Sequence, residues 1–450
     1  MSKGRPKSKK KAKYLKAGKP EYRTQKQNLG RGAFTAQEFR ILQRMAHASK
    51  ALRNVALHVC RQVFDVEGRA AADREIDAAM KADVNYTALQ SNCVQAIRNS
   101  VKEEIRSFTA ALKEFGKDPG RFTGRPRFPG YLGHGEKRIV EIFMVPKIIN
   151  GTWKLPMSGA FQRKHGAIRI KLPKNLMGLT VRYIEIKPVQ KGRFFEACYT
   201  YEMPRIESRH TSAKNAVNGT DGNALGIDLG VNRLAACADL LGNAFIIDGK
   251  PLKSLNRYYN KEIGHLQQKN IKNGISKKVV TNSIKDLWRK RELQIDGYLG
   301  WAAGVIAREC MALNVTAIVI GKNAGWKRNV NLGRKNNQNF VCIPFGKFIS
   351  KLRHKAEKLG IAVTVNEESH TSEASFYDRD DMPACGPGFK GKHVFSGKRT
   401  HRGLYVSKQG IHVHADINAA LNILRKSGLA RFPEGFRARE PHIIKRKAAA

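Results

Sequence analysis

The most strand-like apolar run of this chain, Leu225-Gly226-Ile227-Asp228-Leu229-Gly230, carries an ionisable residue in its middle. Such a run reads as a strand covered on both faces. A carboxylate inside it carries a desolvation cost that a metal would offset. Two other stretches have related texture. Thr316-Ala317-Ile318-Val319-Ile320-Gly321 is a short buried strand, and His412-Val413-His414-Ala415-Asp416-Ile417-Asn418-Ala419-Ala420 passes from strand into an apolar-faced helix around Asp416. Acids gathered from separate strands suit two-metal phosphodiester hydrolysis, because hard divalent cations about 4 Å apart are held by oxygen ligands. The middle strand ends in Gly321 and brings no carboxylate, and two acids alone make a weak site.

Charge names the partner class. Lys and Arg outnumber Asp and Glu by 83 to 37, a net +46 over 450 residues. An excess of that size implies many phosphate contacts and salt-sensitive, largely sequence-independent affinity for nucleic acid. With 41% hydrophobic residues the chain can bury the cores of two or three domains, which excludes a histone-like tail. The first twenty residues hold nine Lys or Arg and no acid, the composition of a disordered arm. Neither a secretory signal nor an apolar run of about 20 residues is present, so no membrane and a cytoplasmic location are expected. Cys60, Cys93, Cys198, Cys237, Cys310, Cys342 and Cys385 are scattered without a CxxC pair, which gives neither a disulfide framework nor a structural zinc site.

Periodicity divides the rest. Thr35-Ala36-Gln37-Glu38 has the form of a capping box, and Phe39, Leu42, Met45, Ala46, Leu52, Val55, Ala56 and Val59 then recur at helical spacing. A second helical face runs from Leu89 through Cys93, Ala96, Ile97, Val101, Ile105 and Phe108 to Leu112. At 120–131, Arg121, Arg125 and Arg127 alternate with Phe, Pro, Gly and Tyr, as in an extended segment that offers guanidinium groups to phosphates and rings to bases; a basic linker is the plainer reading. Period-two patterning from Arg138 to Met203 indicates a small antiparallel β domain. The Gly- and Asn-rich stretch 215–223 is a linker. Beyond it, strands at 225–229, 234–238, 244–247, 318–320 and 361–365 alternate with helices over 252–313 and 345–359, the latter stopped by Gly360. The expected fold is a mixed sheet covered by helices, of α/β ribonuclease-H-like plan.

Gly-Ile-Asp-Leu-Gly-Val-Asn-Arg from Gly226, Glu367-Glu368-Ser369-His370, and His414-Ala415-Asp416-Ile417-Asn418-Ala419-Ala420-Leu421-Asn422-Ile423 resemble the three RuvC regions of TnpB, the OrfB-type, transposon-encoded, RNA-guided nuclease related to type V CRISPR effectors. The resemblance covers nearly the whole chain, and Gly124-Arg125-Pro126-Arg127-Phe128-Pro129 is similar to a further segment of that family. It implies a basic arm (1–20), a first strand (21–34) of a β-barrel-like wedge domain, an inserted helical recognition lobe (35–119), the wedge β domain (120–214), the linker, and a RuvC nuclease domain (224–371). A target-nucleic-acid-binding insert (372–411), the third RuvC region (412–436) and a basic tail (437–450) complete it. It also implies guide RNA and target DNA as partners and two Mg2+ ions, replaceable by Mn2+, with no small-molecule cofactor. The family's middle strand ends in Glu and its insert holds a four-cysteine zinc ribbon. Here Gly321 stands at the first place and Cys385 alone remains at the second, so the insert would be held by Phe376, Tyr377, Phe389, Phe395 and Tyr405.

An acid from the neighbouring strand can reach a metal that Gly321 leaves uncovered. Glu367 and Glu368 lie at the end of that strand, where ligands collect in open α/β sheets. Alternation sends them to opposite faces, so one at most points inward: Glu368, with Glu367 as the alternative. The expected metal set is Asp228, Glu368 and Asp416. Asp416 has a competing role as a helix N-cap. Asp378, Asp380 and Asp381 read as a solvated turn, and His412 and His414 as surface or nucleic-acid contacts. Trp326, Lys327, Arg328 and Lys335, in a Gly-rich basic loop, and Arg399, in the insert, join Arg121, Arg125 and Arg127 as expected nucleic-acid contacts. Two functions follow: an RNA-guided DNA endonuclease, or, if the loss at Gly321 is real, a nuclease-inactive RNA-guided DNA binder that represses by occupancy.

Overall fold

The structure is a computed structural model that describes residues 21–30, 32, 34–142, 148–203, 222–276, 278–323, 342–383, 393–401, 403–429 and 431–447. The chain divides into two units, residues 1–205 and 206–450. The arm at 1–20 and all of the expected linker except 222 and 223 lie outside the described residues, as do Trp326, Lys327, Arg328, Lys335, Cys385 and Phe389. Among the described residues no helix is long and apolar enough to cross a membrane.

The first unit runs β1 (Glu21–Leu29), α1 (Ala36–Glu67), α2 (Asp73–Ala82), α3 (Ser91–Lys117), β2 (Val140–Ile142), β3 (Ile148–Ile149), β4 (Thr152–Lys154), α4 (Gly159–His165), β5 (Arg169–Lys171), β6 (Val181–Val189) and β7 (Phe194–Met203). Strand order is β1-β7-β6-β2 in one sheet and β3-β4-β5 in the other. The three long helices are thus inserted between the first strand and its sheet partners. α1 starts where the capping box places it: Glu38 N donates to Thr35 Oγ1 (3.2 Å) and Thr35 N to Glu38 Oε2 (2.8 Å). Leu42, Met45, Ala46, Leu52 and Ala56 form its buried face, joined by Cys93, Ile97, Val101 and Ile105 of α3.

The segment after α3 corrects one expectation. Phe128 faces inward, packed on Phe64 (5.7 Å) and Phe108 (5.1 Å), and the Arg61 guanidinium lies over Phe128 and over the exposed Tyr131. Its backbone is bound to α1 through Arg53 Nη1 to Gly130 O (2.7 Å) and paired Asn54–Leu132 hydrogen bonds. Covering the Phe128 ring with a helix face removes more apolar surface from water than leaving it for bases. Arg121, Arg125 and Arg127 remain exposed.

The second unit runs β8 (Asn223–Leu229), β9 (Arg233–Asp239), β10 (Ala244–Asp248), α5 (Lys250–Lys272), α6 (Asn282–Ala312), β11 (Val315–Gly321), α7 (Phe345–Glu357), β12 (Ala362–Asn366), β13 (Lys398–His401), β14 (Leu404–Val406), β15 (His412–His414), α8 (Ala415–Lys426) and β16 (His442–Ile444). Its sheet has the order β12-β11-β8-β9-β10-β16. β8, β9 and β10 are antiparallel neighbours, and β11 is parallel to both β8 and β12. Three antiparallel strands followed by two parallel ones added at the β8 side make the ribonuclease-H-like, RuvC-type sheet. Leu225, Ile227 and Leu229 pack with α6 and α7 on one face, while Ile417, Ala420 and Leu421 of α8 meet Ala236, Ala238 and Ile246 on the other. A Cβ on Gly226 would meet Ala420 O of α8, with Leu424 Cβ at 3.0 Å, so glycine lets that helix lie against the strand.

In the insert, Phe376 stacks on Tyr377, Phe432 and Phe436, and buried Tyr405 donates to Glu373 O (2.8 Å). Two aspartates expected on a solvated turn instead fasten it. Asp378 Oδ2 accepts from Ser375 Oγ (2.6 Å) and Lys408 N (2.7 Å), and Asp380 Oδ2 from Ser375 N (2.8 Å) and Ser396 N (3.0 Å). Short carboxylates satisfy backbone donors that the turns would otherwise leave unpaired.

Candidate functional site

Strand register brings the candidate acids together. Along β8, Leu225, Ile227 and Leu229 face α6 and α7, so Asp228 faces α8. Ile227 pairs with Ile320 of β11, which sets Gly321 one step further on, level with Asp228. Gly321 pairs in turn with Asn366 of β12. Beyond the strand end the Glu368 carboxylate reaches the space at Gly321, while Glu367 reaches Lys426 at the end of α8. A Cβ on Gly321 would lie 2.7 Å from Glu368 Oε2 and would also strike Ile423 of α8. The glutamate carboxylate occupies the space that the missing side chain leaves free. Its Oε2 is buried with no hydrogen-bond partner among the described residues.

Glu367 has a different role. It forms an ion pair with Lys426 Nζ (2.5 Å) and accepts from Ser369 N (2.7 Å). Burial works to raise its pKa, but those contacts outweigh it and hold the carboxyl below the usual range. Its carboxylate is thus engaged by Lys426 and Ser369, whereas Glu368 Oε2 has no hydrogen-bond partner among the described residues.

Asp416 and Glu368 both press on Asp228. Asp228 keeps some accessible surface, yet withdrawal from water, followed by the Asp416 and Glu368 charges, pushes its carboxyl up to about 8. Glu368 is pushed up to about 7, by burial first and then by Glu367. Crowded carboxylates of this kind hold protons unless a cation shares the space. Asp416 meets such a cation in Arg233, whose Nη1 lies 2.7 Å from Oδ2, with Arg399 Nη2 3.8 Å from Oδ1. Among the described residues no three His, Cys, Asp or Glu side chains close into a metal-binding group. The donor set still fits magnesium or manganese: all oxygen, mutually repelling, with one buried oxygen lacking a partner.

Asp416 is not the N-cap. That position belongs to half-buried His414, whose Nδ1 accepts from Asp416 N (3.2 Å), and Asp416 sits in the first turn of α8, where the helix dipole favours a carboxylate. His414 is thus a half-buried helix cap and not a surface histidine, while His412 is exposed.

Four site residues were missed in the sequence. Asn418 and Asn422 are fully buried on α8 and bind the loop that carries Glu368: Asn418 Nδ2 to Ala374 O (2.8 Å), Phe376 N to Asn418 Oδ1 (3.0 Å), and Asn422 Nδ2 to Thr371 O (3.0 Å) and Ala374 O (2.7 Å). Asn323 Oδ1 accepts from Glu368 N (2.9 Å). Arg233 is the fourth. The i, i+4 spacing of two asparagines on an otherwise apolar helix was the legible signal, since buried amides persist only when paired.

Parts of the chain match known proteins. Residues 199–327 match a family model described as a probable transposase of OrfB type, and residues 345–423 match a Cas12f1-like TNB domain. TnpB-like protein ORF457 of Acidianus two-tailed virus is 24% identical over 208 residues, which span 45% of this chain and 41% of that relative. Among solved structures, a Cas12f1–sgRNA–target DNA complex aligns at TM-score 0.47 and 17% identity over 87% of this chain and 84% of the other. Alicyclobacillus acidoterrestris C2c1 with single-guide RNA aligns at TM-score 0.33 and 10% identity over 88% and 67%. The two family matches fall in this order along a RuvC-type sheet, and the chain spans under half the length of the curated relative it matches.

Proposed function

We propose that this protein is an RNA-guided DNA endonuclease that hydrolyses target-DNA phosphodiesters at one RuvC-type site, with guide RNA and target DNA as its partners. The observation that carries this reading is the place of Glu368: its carboxylate fills the side-chain space that Gly321 leaves free and presses on Asp228. Asp228, Glu368 and Asp416 would hold magnesium, which supplies Lewis acidity to activate water and to neutralise the leaving oxygen. The chain's own groups do the rest. The Asn418 and Asn422 bonds fix the Glu368 loop, Lys426 engages Glu367, and Arg233 holds Asp416 until a stronger cation competes. Sequence choice by base pairing to a guide leaves the protein to contact backbone, which suits a net charge of +46.

One observation favours the nuclease-inactive DNA binder: Arg233 already neutralises Asp416, and the acids are not closed into a finished metal group. Plasmid cleavage by the purified ribonucleoprotein with Mg2+ separates the two. Native protein is expected to cut, Asp228→Ala, Glu368→Ala and Asp416→Ala to abolish cutting, and Glu367→Ala to retain most of it. Cutting that survives loss of Glu368 would sink the borrowed-acid site, and target binding without any cutting would establish the inactive binder.

A further inference from the structure

Beside the acids, at the end of β9, β10 and β16, lies a cleft of about 660 Å³. Its charged lining is five cations, Arg233, Lys250, Lys253, Arg257 and Lys445, against one carboxylate, Asp248. Lys250, Lys253 and Arg257 recur at i, i+3 and i+7, so one face of α5 supplies them. Asp248 is committed to the fold, since Oδ1 accepts from Lys250 N (3.1 Å) at the start of that helix. Among the described residues, none of Lys250, Lys253, Arg257 and Lys445 forms an ion pair; Lys253 only touches Asn232 Oδ1 (3.2 Å). Like charges gathered in a concave wall repel one another, and nothing in the packing of this unit requires them there. The opposite wall is β16, which pairs parallel to β10 and brings Ile443 and Lys445 to the rim. Arg233 belongs to both places: it lines the cleft and binds Asp416.

We infer that this cleft binds the sugar-phosphate backbone of a single DNA strand and leads it to the Asp416 side of the site. The inference deepens the endonuclease reading and rests on it for the choice of DNA. A volume in the ~300–1,000 Å³ range accommodates a short run of nucleotides and not a duplex. Lysine and arginine at helical spacing contact successive phosphates without reading bases, so the binding is sequence-independent and salt-sensitive. Arg233 makes the hand-over, because a phosphate arriving beside it competes for the guanidinium that holds Asp416.

The test is fluorescence anisotropy on the full chain purified with the RNA it carries, in EDTA so that no strand is cut, with single-stranded DNA and single-stranded RNA of one sequence as probes. Lys253→Gln/Arg257→Gln is expected to weaken DNA binding on the order of tenfold and to reduce the log–log salt slope by about 1.4, two single-strand contacts at about 0.7 each. The charge-keeping pair Lys253→Arg/Arg257→Lys is expected to bind like native, as is Lys269→Gln, an exposed change about 18 Å further along α5. Melting temperature and the amount of co-purified RNA should not move. Native-like DNA binding by the glutamine pair overturns the inference, as does a loss confined to the RNA probe, which would give the cleft to RNA. Binding in EDTA needs no hydrolysis, so the two readings fail separately. A native chain that binds DNA here but never cuts loses the endonuclease reading alone; glutamine variants that bind and cut like native lose the cleft alone.

Discussion

Asp228 is costly to the metal-free fold. Its carboxyl moves from an ordinary carboxylate value to about 8 on folding, so between those values the native chain holds a proton that the unfolded chain has released. The native state binds more protons there, and stability therefore falls as pH rises from about 4 through about 8. Asp228→Asn removes the charge at constant shape. In EDTA it is expected to raise the melting temperature at about pH 8.5 by several degrees, at ~2–4 °C per kcal/mol for a unit of this size, with the gain vanishing towards pH 4. Calorimetry that shows no pH-dependent gain would mean that Asp228 is neither withdrawn from water nor crowded by the other acids. Gly321 is the companion case. Gly321→Ala places a methyl against Glu368 and Ile423, which is overpacking of ~1–3 kcal/mol, and it should cut the cleavage rate at least tenfold by displacing the carboxylate. Native-like cleavage by that variant would show that Glu368 does not use the space. At this scale the sequence was readable wherever a residue was improbable in its setting: an acid in an apolar strand, a glycine at a strand end. Arg233 was not readable, because one arginine among so many carries no signal until the fold sets it beside Asp416.

Between elements, the position of α8 decides the site, since it brings Asp416 and the two asparagines that hold the Glu368 loop. That position depends on Gly226, where the helix backbone lies against the strand. Gly226→Ala must push α8 outward or bend β8. A loss of ~1–3 kcal/mol in denaturant midpoint is expected, with cleavage falling further than stability alone accounts for, because Asp416 and Glu368 move with the helix. An unchanged midpoint would refute the close approach. Element type was legible from periodicity: the helix that Gly360 ends, the capping box at Thr35, and the alternating strands before Met203 all stand where their patterns put them. What periodicity could not give was which groups staple a loop. Asp378 and Asp380 look like solvated acids in a string of letters, and only the folded turn shows the backbone N–H groups that they satisfy.

At the scale of the molecule, composition supports the proposed partner class and topology the proposed chemistry, and neither implies the other. The order β12-β11-β8-β9-β10 places strand ends of separate sequence origin side by side, so residues 228, 368 and 416 meet although far apart in the chain. Family resemblance supplied the expectation of three acids, and strand register supports the proposal that Glu368 replaces the displaced one. The net charge of +46 is not spent on internal pairing, since Lys and Arg exceed Asp and Glu by more than two to one. Under the proposed function, guide and target would be held largely by counterion release. For a protein that neutralises about 6–10 phosphates, affinity for non-target duplex DNA should fall by ~10³ or more between about 50 and about 200 mM salt. Guide-matched DNA should fall by a similar electrostatic factor yet keep a salt-independent remainder that comes from base pairing. Titration of both duplexes against the RNA-loaded chain at several salt concentrations measures the two slopes. Parallel lines offset by a constant fit the proposal, whereas coincident lines would mean that the RNA guides nothing and the chain binds only as a polycation.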